Sequence, residues 1–188
     1  MGITHILLKV LPHFPHATGA EVGVYRGKNS VTLLRLLPGL QHLYCVDPWT
    51  TDPSFESASG MNTVEAMGES REKALAMLAP HMDRVSVLAY PSGMAASAVP
   101  DASLDFCFID GNHAYEHVAY DIACWLPKLT SDGILCGHDH NNKHPGVVKA
   151  VREHMTDCAY YVENSIWFAP QSLACAQRMD AILDCATR

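Results

Sequence analysis

The chain has 188 residues, 48% hydrophobic and 18% charged, a balance that supports a packed core and excludes general disorder. Thirteen Lys and Arg against 20 Asp and Glu leave a formal net charge of −7, which lacks the basic footprint of a nucleic-acid binder and disfavours an anionic membrane surface. No run approaches the roughly 18 uncharged apolar residues of a membrane span.

Residues 1–16 read as an N-terminal helix or cap, with the helix over Gly2–Leu11. Its apolar run Ile6–Leu11 is broken by Lys9 and carries no secretory cleavage pattern, and Ile6 defeats a myristoylation motif at Gly2. Exposed, such a helix could pair two copies of the chain as a homodimer. Ala20–Val24 predicts a first strand, and the amphipathic run Ser30–Leu37 a helix that stops at Pro38-Gly39. His42–Val46 predicts a second strand ending at Asp47. The polar loop Thr50–Gly60 follows as a candidate lid, ahead of a long helix over Met61–Leu78. Val85–Ala89 predicts a third strand, and a short helix follows Pro91-Ser92-Gly93.

Leu104–Ile109 is a strongly apolar fourth strand ending at Asp110. Tyr115, Val118, Ile122, Leu126 and Leu129 then recur at helical spacing. Ser131-Asp132-Gly133 predicts a turn into a fifth strand, Ile134–Gly137, which runs into His138-Asp139-His140. Pro145 suits a helix start, with Val147–Met155 as its body. Ala159–Val162 and Ser165–Phe168 predict two closing strands around a Glu163-Asn164 turn, and Gln171–Ala186 a terminal helix.

This alternation predicts an α/β fold in one domain, with a core over 17–169 and a C-terminal helix or tail over 170–188. The sheet should be mostly parallel with helices on both faces, the last strand antiparallel because its turn is too short for a crossover. Ligands of such sheets gather beyond the carboxyl ends of the strands. Glu21–Gly27, Asp47, Tyr90–Gly93, Asp110–His113 and His138–His140 all fall there. The seven cysteines form no C-x-x-C pair and read as buried free thiols of a reducing, cytoplasmic setting.

The first strand-to-helix turn is Glu21-Val-Gly-Val-Tyr-Arg-Gly27. Gly23 and Gly27 would let the backbone turn sharply and lie close to a ligand. Tyr25 and Arg26 fill the space that a dinucleotide fingerprint keeps small, so a nucleoside without a diphosphate suits the turn better. Asp47 can accept from both ribose hydroxyls, and Trp49 could pack against a purine. A structural glycine turn beside a surface carboxylate would leave the same pattern.

Glu21–Gly27, Val46-Asp47-Pro48-Trp49 and Phe108-Ile-Asp-Gly-Asn-His-Ala-Tyr115 together resemble the class I S-adenosylmethionine-dependent methyltransferases. The likeness is to the branch labelled methyltransferase family 24, related to macrocin-type sugar O-methyltransferases, and it runs from about Thr18 to Phe168. It implies a Rossmann-like seven-stranded fold and S-adenosylmethionine as cofactor. Glu21 and Gly23 would line the methionine moiety, Asp47 would hold the ribose, and Ser92 and Gly93 would approach the adenine. Tyr25, Arg26, Gly27, Asn29, Ser30, Pro48, Trp49 and Asp110 complete the expected cofactor set.

Asp110 and Asp139 end two strands that should be neighbours, and converging carboxylates repel unless a cation or a shared proton intervenes. Hard oxygen ligands suit Mg²⁺. The metal-dependent relatives likewise carry an Asp after the fourth strand and a pair of oxygen ligands after the fifth. Asp110, Asp139 and His140 are therefore the candidate metal ligands. The imidazole of His140 departs from the oxygen pattern and would favour another divalent cation. His113 stands where the macrolide-sugar enzymes carry a catalytic His, and with Asp110 it makes the candidate catalytic pair. His138 and His144 extend the string, each read by itself as loop or supporting residue.

The expected activity is methylation of a small-molecule or sugar hydroxyl, with divalent-metal assistance. The rival readings are a nicotinamide-dependent oxidoreductase, disfavoured by the bulky glycine turn, and a metal hydrolase built on His138, Asp139 and His140. A third is a binding protein without chemistry.

Overall fold

The computed structural model describes residues 11, 14, 16–52, 62–155 and 161–184. Strands β1 (Ala17–Val22), β2 (Leu40–Val46), β3 (Val85–Leu88), β4 (Leu104–Ile109), β5 (Leu129–Gly137), β6 (Tyr161–Glu163) and β7 (Ile166–Pro170) form one seven-stranded sheet in the order β3-β2-β1-β4-β5-β7-β6. Every pairing from β3 across to β5 is parallel, whereas β7 pairs antiparallel with both β5 and β6. The helices are α1 (Lys28–Leu36), α2 (Val64–Leu78), α3 (Ser92–Ser97), α4 (Tyr115–Trp125), α5 (Pro145–His154) and α6 (Leu173–Asp184). The expected Rossmann-like α/β architecture is the one observed.

Period-two alternation divides the strand side chains between two cores. Phe106 and Phe108 join Val31, Leu33 and Leu34 of α1, Ala74 and Leu78 of α2, and Met179 of α6 on one face. Cys107 and Ile109 join Ala95 of α3, Val118, Ile122 and Trp125 of α4, and Val147 and Val151 of α5 on the other. Apolar burial on both faces explains why the central strands read as unbroken hydrophobic runs.

Several strand boundaries differ from expectation, among them those of β1, β5 and the closing hairpin. β1 begins at Ala17 and ends at Val22, so Gly23 and Val24 already belong to the turn. Ser131-Asp132-Gly133 is no turn before the fifth strand but an irregularity inside it: Leu104 pairs with Leu129 and Phe106 with Ile134. Asp132 accepts from the Ser172 hydroxyl and the Arg178 guanidinium, which ties this bulged stretch to α6. The closing turn falls on Asn164 and Ser165, both with positive φ (51° and 68°), as a tight hairpin requires. Residues 2–10 of the expected N-terminal helix and 53–60 of the candidate lid lie outside the described residues, while Leu11 is buried in the core.

Cys45, Cys107, Cys136 and Cys175 are buried free thiols, in line with the expected small-hydrophobe role, whereas Cys124 is free but only partly buried. Among the described residues no helix is long and apolar enough to cross a membrane.

Candidate functional site

Strand order reverses between β1 and β4, the switch point beyond whose carboxyl ends sheets of this kind bind their ligands. Gly23 stands at this point with φ 96°, and a Cβ on it would lie 2.2 Å from the Asp110 carbonyl oxygen. The space beside this glycine is thus taken by the neighbouring strand end. Gly27, with φ 76°, is the N-terminal cap of α1, and a Cβ there would meet the Ala74 backbone at 3.1 Å. Its smallness serves the packing of α1 on α2.

Glu21 is 2% exposed, and its carboxylate accepts from the Ser30 hydroxyl and, at 3.0 Å, from Asn29 Nδ2. Asn29 and Ser30 therefore act by holding Glu21 against the first turn of α1. Burial pushes the Glu21 carboxyl up to about 7 against the lowering effect of these two donors, and the charges of Asp110 and Asp47 push it the same way. Three carboxylates thus act on one another at these strand ends.

Asp47 follows β2. Its Oδ2 accepts from the Tyr25 N–H at 2.7 Å and its Oδ1 from the Trp49 N–H at 2.7 Å. Each oxygen keeps a further lone pair. Burial raises the Asp47 carboxyl, opposed by these two backbone donors. Trp49 does not offer the open stacking face expected of it. It is 6% exposed in the core, its indole N–H donating to the Tyr25 carbonyl at 2.7 Å. Both residues adopt positive φ (51° and 46°), so this turn is held by hydrogen bonds in a backbone region that costs non-glycine residues energy. The Arg26 guanidinium lies 4.9 Å from the Tyr25 ring centroid. Pro48, between the two Asp47-bound turns, is partly exposed.

On the β3 side, Ser92 is already engaged: its hydroxyl accepts from Trp125 Nε1 at 2.8 Å. It also bonds the buried Asp121, whose carboxyl burial raises to about 6 against the lowering effects of Ser92 and His117. Gly93 lies beneath the Tyr120 hydroxyl, which a Cβ there would meet at 2.1 Å. Asp52, where the described part of the second-strand loop ends, accepts from Asn112 Nδ2 at 3.0 Å and lies 3.6 Å from His117 Nε2.

Beyond β4 and β5 the structure brings Asp110, His113, His138, Asp139 and His144 together. Asp139 Oδ2 lies 3.0 Å from His113 Nε2 and 3.2 Å from His138 Nδ1, and Asp139 Oδ1 lies 3.6 Å from His144 Nε2. Asp110 Oδ1 lies 3.6 Å from His138 Nδ1 and 4.0 Å from His113 Nε2. Burial works against the charge on Asp139, but hydrogen bonds and positive charge from His113 and His138 outweigh it and hold the carboxyl below its usual range. Burial likewise opposes a proton on His138, yet Asp110 and Asp139 raise it to about 9. The Asp110 carboxyl is raised, chiefly by burial.

Two donor groups could each hold a cation: Asp110, His138 and Asp139, and His113, Asp139 and His144. His140 is in neither, although its N–H donates to the Ser165 carbonyl at 3.0 Å and so ties the Asp139 loop to the β6–β7 turn. His138, rather than the expected His140, is the imidazole grouped with Asp110 and Asp139. Imidazole–carboxylate spacing along His138–Asp139 and Asp139–His144 was the available signal, but it needed the fold to show which side chains converge. Beneath the first group lies a cavity of about 10 Å³ lined by Asp110, His113, His138 and Trp167. The buried Trp167 Nε1 has no hydrogen-bond partner among the described residues. Trp167 lines this water-sized space together with Asp110, His113 and His138, which suits an ion that keeps a coordinated water.

The sequence matches the family described as "Methyltransferase domain" over residues 20–140. No curated protein matches it. Among solved structures, the O-methyltransferase NovP superposes with a TM-score of 0.67 at 15% identity, covering 91% of this chain and 81% of that one. CalS11, a calicheamicin methyltransferase, gives 0.64 at 15% identity, with 89% and 76% covered. An O-methyltransferase from Bacillus cereus in complex with SAH gives 0.60 at 15% identity, with 90% and 81% covered. At these identities the structural likeness speaks for the fold.

Proposed function

The chain belongs to the class I S-adenosylmethionine-dependent methyltransferases, and from that premise we propose that it methylates a hydroxyl oxygen of a small molecule or sugar. The observation that carries the reading is the grouping of Glu21, Asp47 and Asp110 at the carboxyl ends of β1, β2 and β4, where the charges of Asp47 and Asp110 raise the Glu21 carboxyl. Mutually repelling carboxylates suit a cationic ligand such as a sulfonium with its ammonium group. They disfavour the diphosphate of a nicotinamide cofactor.

Asp47 fits the ribose diol, since its two oxygens are fixed by backbone donors and still able to accept. Glu21 would balance the positive charge of the bound donor from within the protein. S-adenosylmethionine, when bound, supplies an electrophilic methyl group on a cationic sulfur.

The acceptor hydroxyl must lose its proton as the new C–O bond forms. His113 would perform that task. With its Nε2–H donating to Asp139 Oδ2, the ring keeps its lone pair on Nδ1, which takes the hydroxyl proton. The Asp139 carboxylate orients the ring and stabilises the imidazolium that results, the division of labour seen in a His–Asp pair of a hydrolase triad. Asp110, His138 and Asp139 would hold a divalent cation, whose charge would lower the hydroxyl pKa. The NovP and CalS11 likenesses support an oxygen acceptor.

Calorimetry with S-adenosylmethionine, SAH and NAD⁺ tests the reading. Saturable binding of the first two, lost in Asp47→Ala, is expected. Binding of NAD⁺ alone, or of none of them, would overturn it.

A further inference from the structure

We propose that His113, Asp139 and His144 form a second, nitrogen-rich dication site that takes zinc or a similar borderline first-row ion and, when filled, withdraws His113 from proton transfer. Two imidazoles and one carboxylate present N₂O chemistry, which suits Zn²⁺, Co²⁺ or Ni²⁺ better than Mg²⁺. The Asp110–His138–Asp139 group offers more oxygen and suits harder ions.

Geometry supports the site. Tetrahedral coordination at Zn–N and Zn–O lengths of about 2.0–2.2 Å puts neighbouring donor atoms roughly 3.3–3.6 Å apart. His113 Nε2 lies 3.0 Å from Asp139 Oδ2 and His144 Nε2 3.6 Å from Asp139 Oδ1, so the two rings address the two oxygens of one carboxylate, and one donor atom from each of the three residues lies within 4.8 Å of the others. The two rings meet edge to face with centroids 4.4 Å apart. Fractional side-chain exposures of 28%, 16% and 32% leave an open face for a fourth ligand.

Backbone structure places both imidazoles. The chain from Asp139 to His144 is folded back by Asn141 N–H to Asp139 O at 2.8 Å and His144 N–H to Asn141 O at 3.1 Å. Lys143 N–H caps the same turn on Asn141 Oδ1 at 2.9 Å. The first turn of α5 then presses on the segment carrying His113, since a Cβ at Gly146 would lie 2.5 Å from the His113 carbonyl. His144 and His113 are therefore held against each other by the start of one helix.

An ion on His113 Nε2 leaves the ring proton on Nδ1, so the lone pair assigned to the acceptor hydroxyl is gone. Because both donor groups draw on Asp139, an ion in the nitrogen-rich group also competes with one in the Asp110 group. Ion binding stands by itself; only its effect on turnover rests on the methyl-transfer reading.

The test uses chelator-stripped full-length protein. Zinc affinity is measured by competition with a chromophoric chelator, and Co²⁺ is followed by its visible absorption, for the native chain, His144→Ala, His144→Gln and His138→Ala. Stoichiometric zinc binding is expected, weakened at least about tenfold in both His144 variants and little changed in His138→Ala. No stoichiometric binding, equal binding in the His144 variants, or a loss confined to His138→Ala would each overturn the proposal. S-adenosylmethionine calorimetry on the same samples separates the two claims: zinc binding without donor binding removes the methyl-transfer reading and leaves the ion site standing.

Discussion

The Tyr25 N–H and Asp47 Oδ2 meet at 2.7 Å, so the turn after β1 and the carboxylate after β2 are built as one unit. The Asp47 side chain is consequently set before any ligand arrives, which lowers the ordering cost of binding.

Replacing Asp47 separates binding from structure. Asp47→Ala removes two backbone-to-carboxylate hydrogen bonds and the proposed ribose acceptor together, and hydrogen bonds to a charged group contribute about 1.5–3 kcal/mol each. Donor affinity should fall by at least about tenfold, with a lower Tm. Asp47→Asn keeps acceptor capacity on one oxygen and should retain more of the Tm than of the affinity. Calorimetry and thermal melts read the two effects.

His113→Ala should leave S-adenosylmethionine affinity within about threefold of the native value while kcat drops about 10²–10⁴-fold, the range for loss of a general base. Asp139→Asn should also lower kcat, because Asp139 orients the ring and stabilises its charged form. Methyl transfer from labelled donor across an acceptor panel provides the measurement. Full turnover in His113→Ala would remove it from the role of base.

Donor binding should depend on pH through Glu21. Its carboxyl is raised from 4.5 to about 7, so the folded chain holds this proton more tightly than the unfolded chain. Its contribution to stability is therefore most favourable at low pH and is lost as pH rises through 7. A cationic ligand favours the ionised carboxylate, so S-adenosylmethionine should bind more tightly at about pH 8 than at about pH 6 and release a proton on binding below 7. SAH lacks the sulfonium charge and should show a weaker trend, and Glu21→Gln should flatten it. Calorimetry in buffers of different ionisation enthalpy counts the protons.

Ser92→Ala strips a partner from the Trp125 indole N–H and from the buried Asp121 carboxyl. Each buried group left without its partner costs about 1–3 kcal/mol, so the variant should melt several degrees lower. Loss of the Ser92 donor also raises the Asp121 carboxyl further, which should move a titration observed by NMR to higher pH. Unchanged melting would mean that Ser92 is not holding this network.

Gly23→Ala should be poorly tolerated. The added Cβ would fall 2.2 Å from the Asp110 carbonyl at a φ of 96°. Both the contact and the backbone angle work against it, at a combined cost of at least about 2 kcal/mol. Circular dichroism melts will show the loss, and weakened donor binding should accompany it because the β1 and β4 ends are forced apart.

Much of the fold was legible because a parallel sheet covered on both faces leaves a strong mark. Leu104–Ile109 is apolar at every position but Asp105, and Asp47, Asp110 and Asp139 announce the strand ends. Ser131-Asp132-Gly133 misled because these residue types favour turns, whereas Ser172 and Arg178, about forty residues downstream, hold them within β5. Trp49 misled for a related reason. Its burial follows from the bond to the Tyr25 carbonyl and from packing on residues scattered along the chain. His144 could be seen in the sequence as extending the His138–His140 string, but by itself it read as a loop or supporting residue. The turn that returns it to Asp139 depends on Asn141, a local bond whose consequence needs three-dimensional placement to be read.

The bond from His140 to Ser165 makes the far edge of the sheet a buttress for the Asp139 loop. A shortened chain ending after α5 would keep every residue assigned to donor and ion, yet the loop bearing Asp139 and His144 would lose its brace. Fusion partners or affinity tags are better joined beyond α6 than spliced into the hairpin.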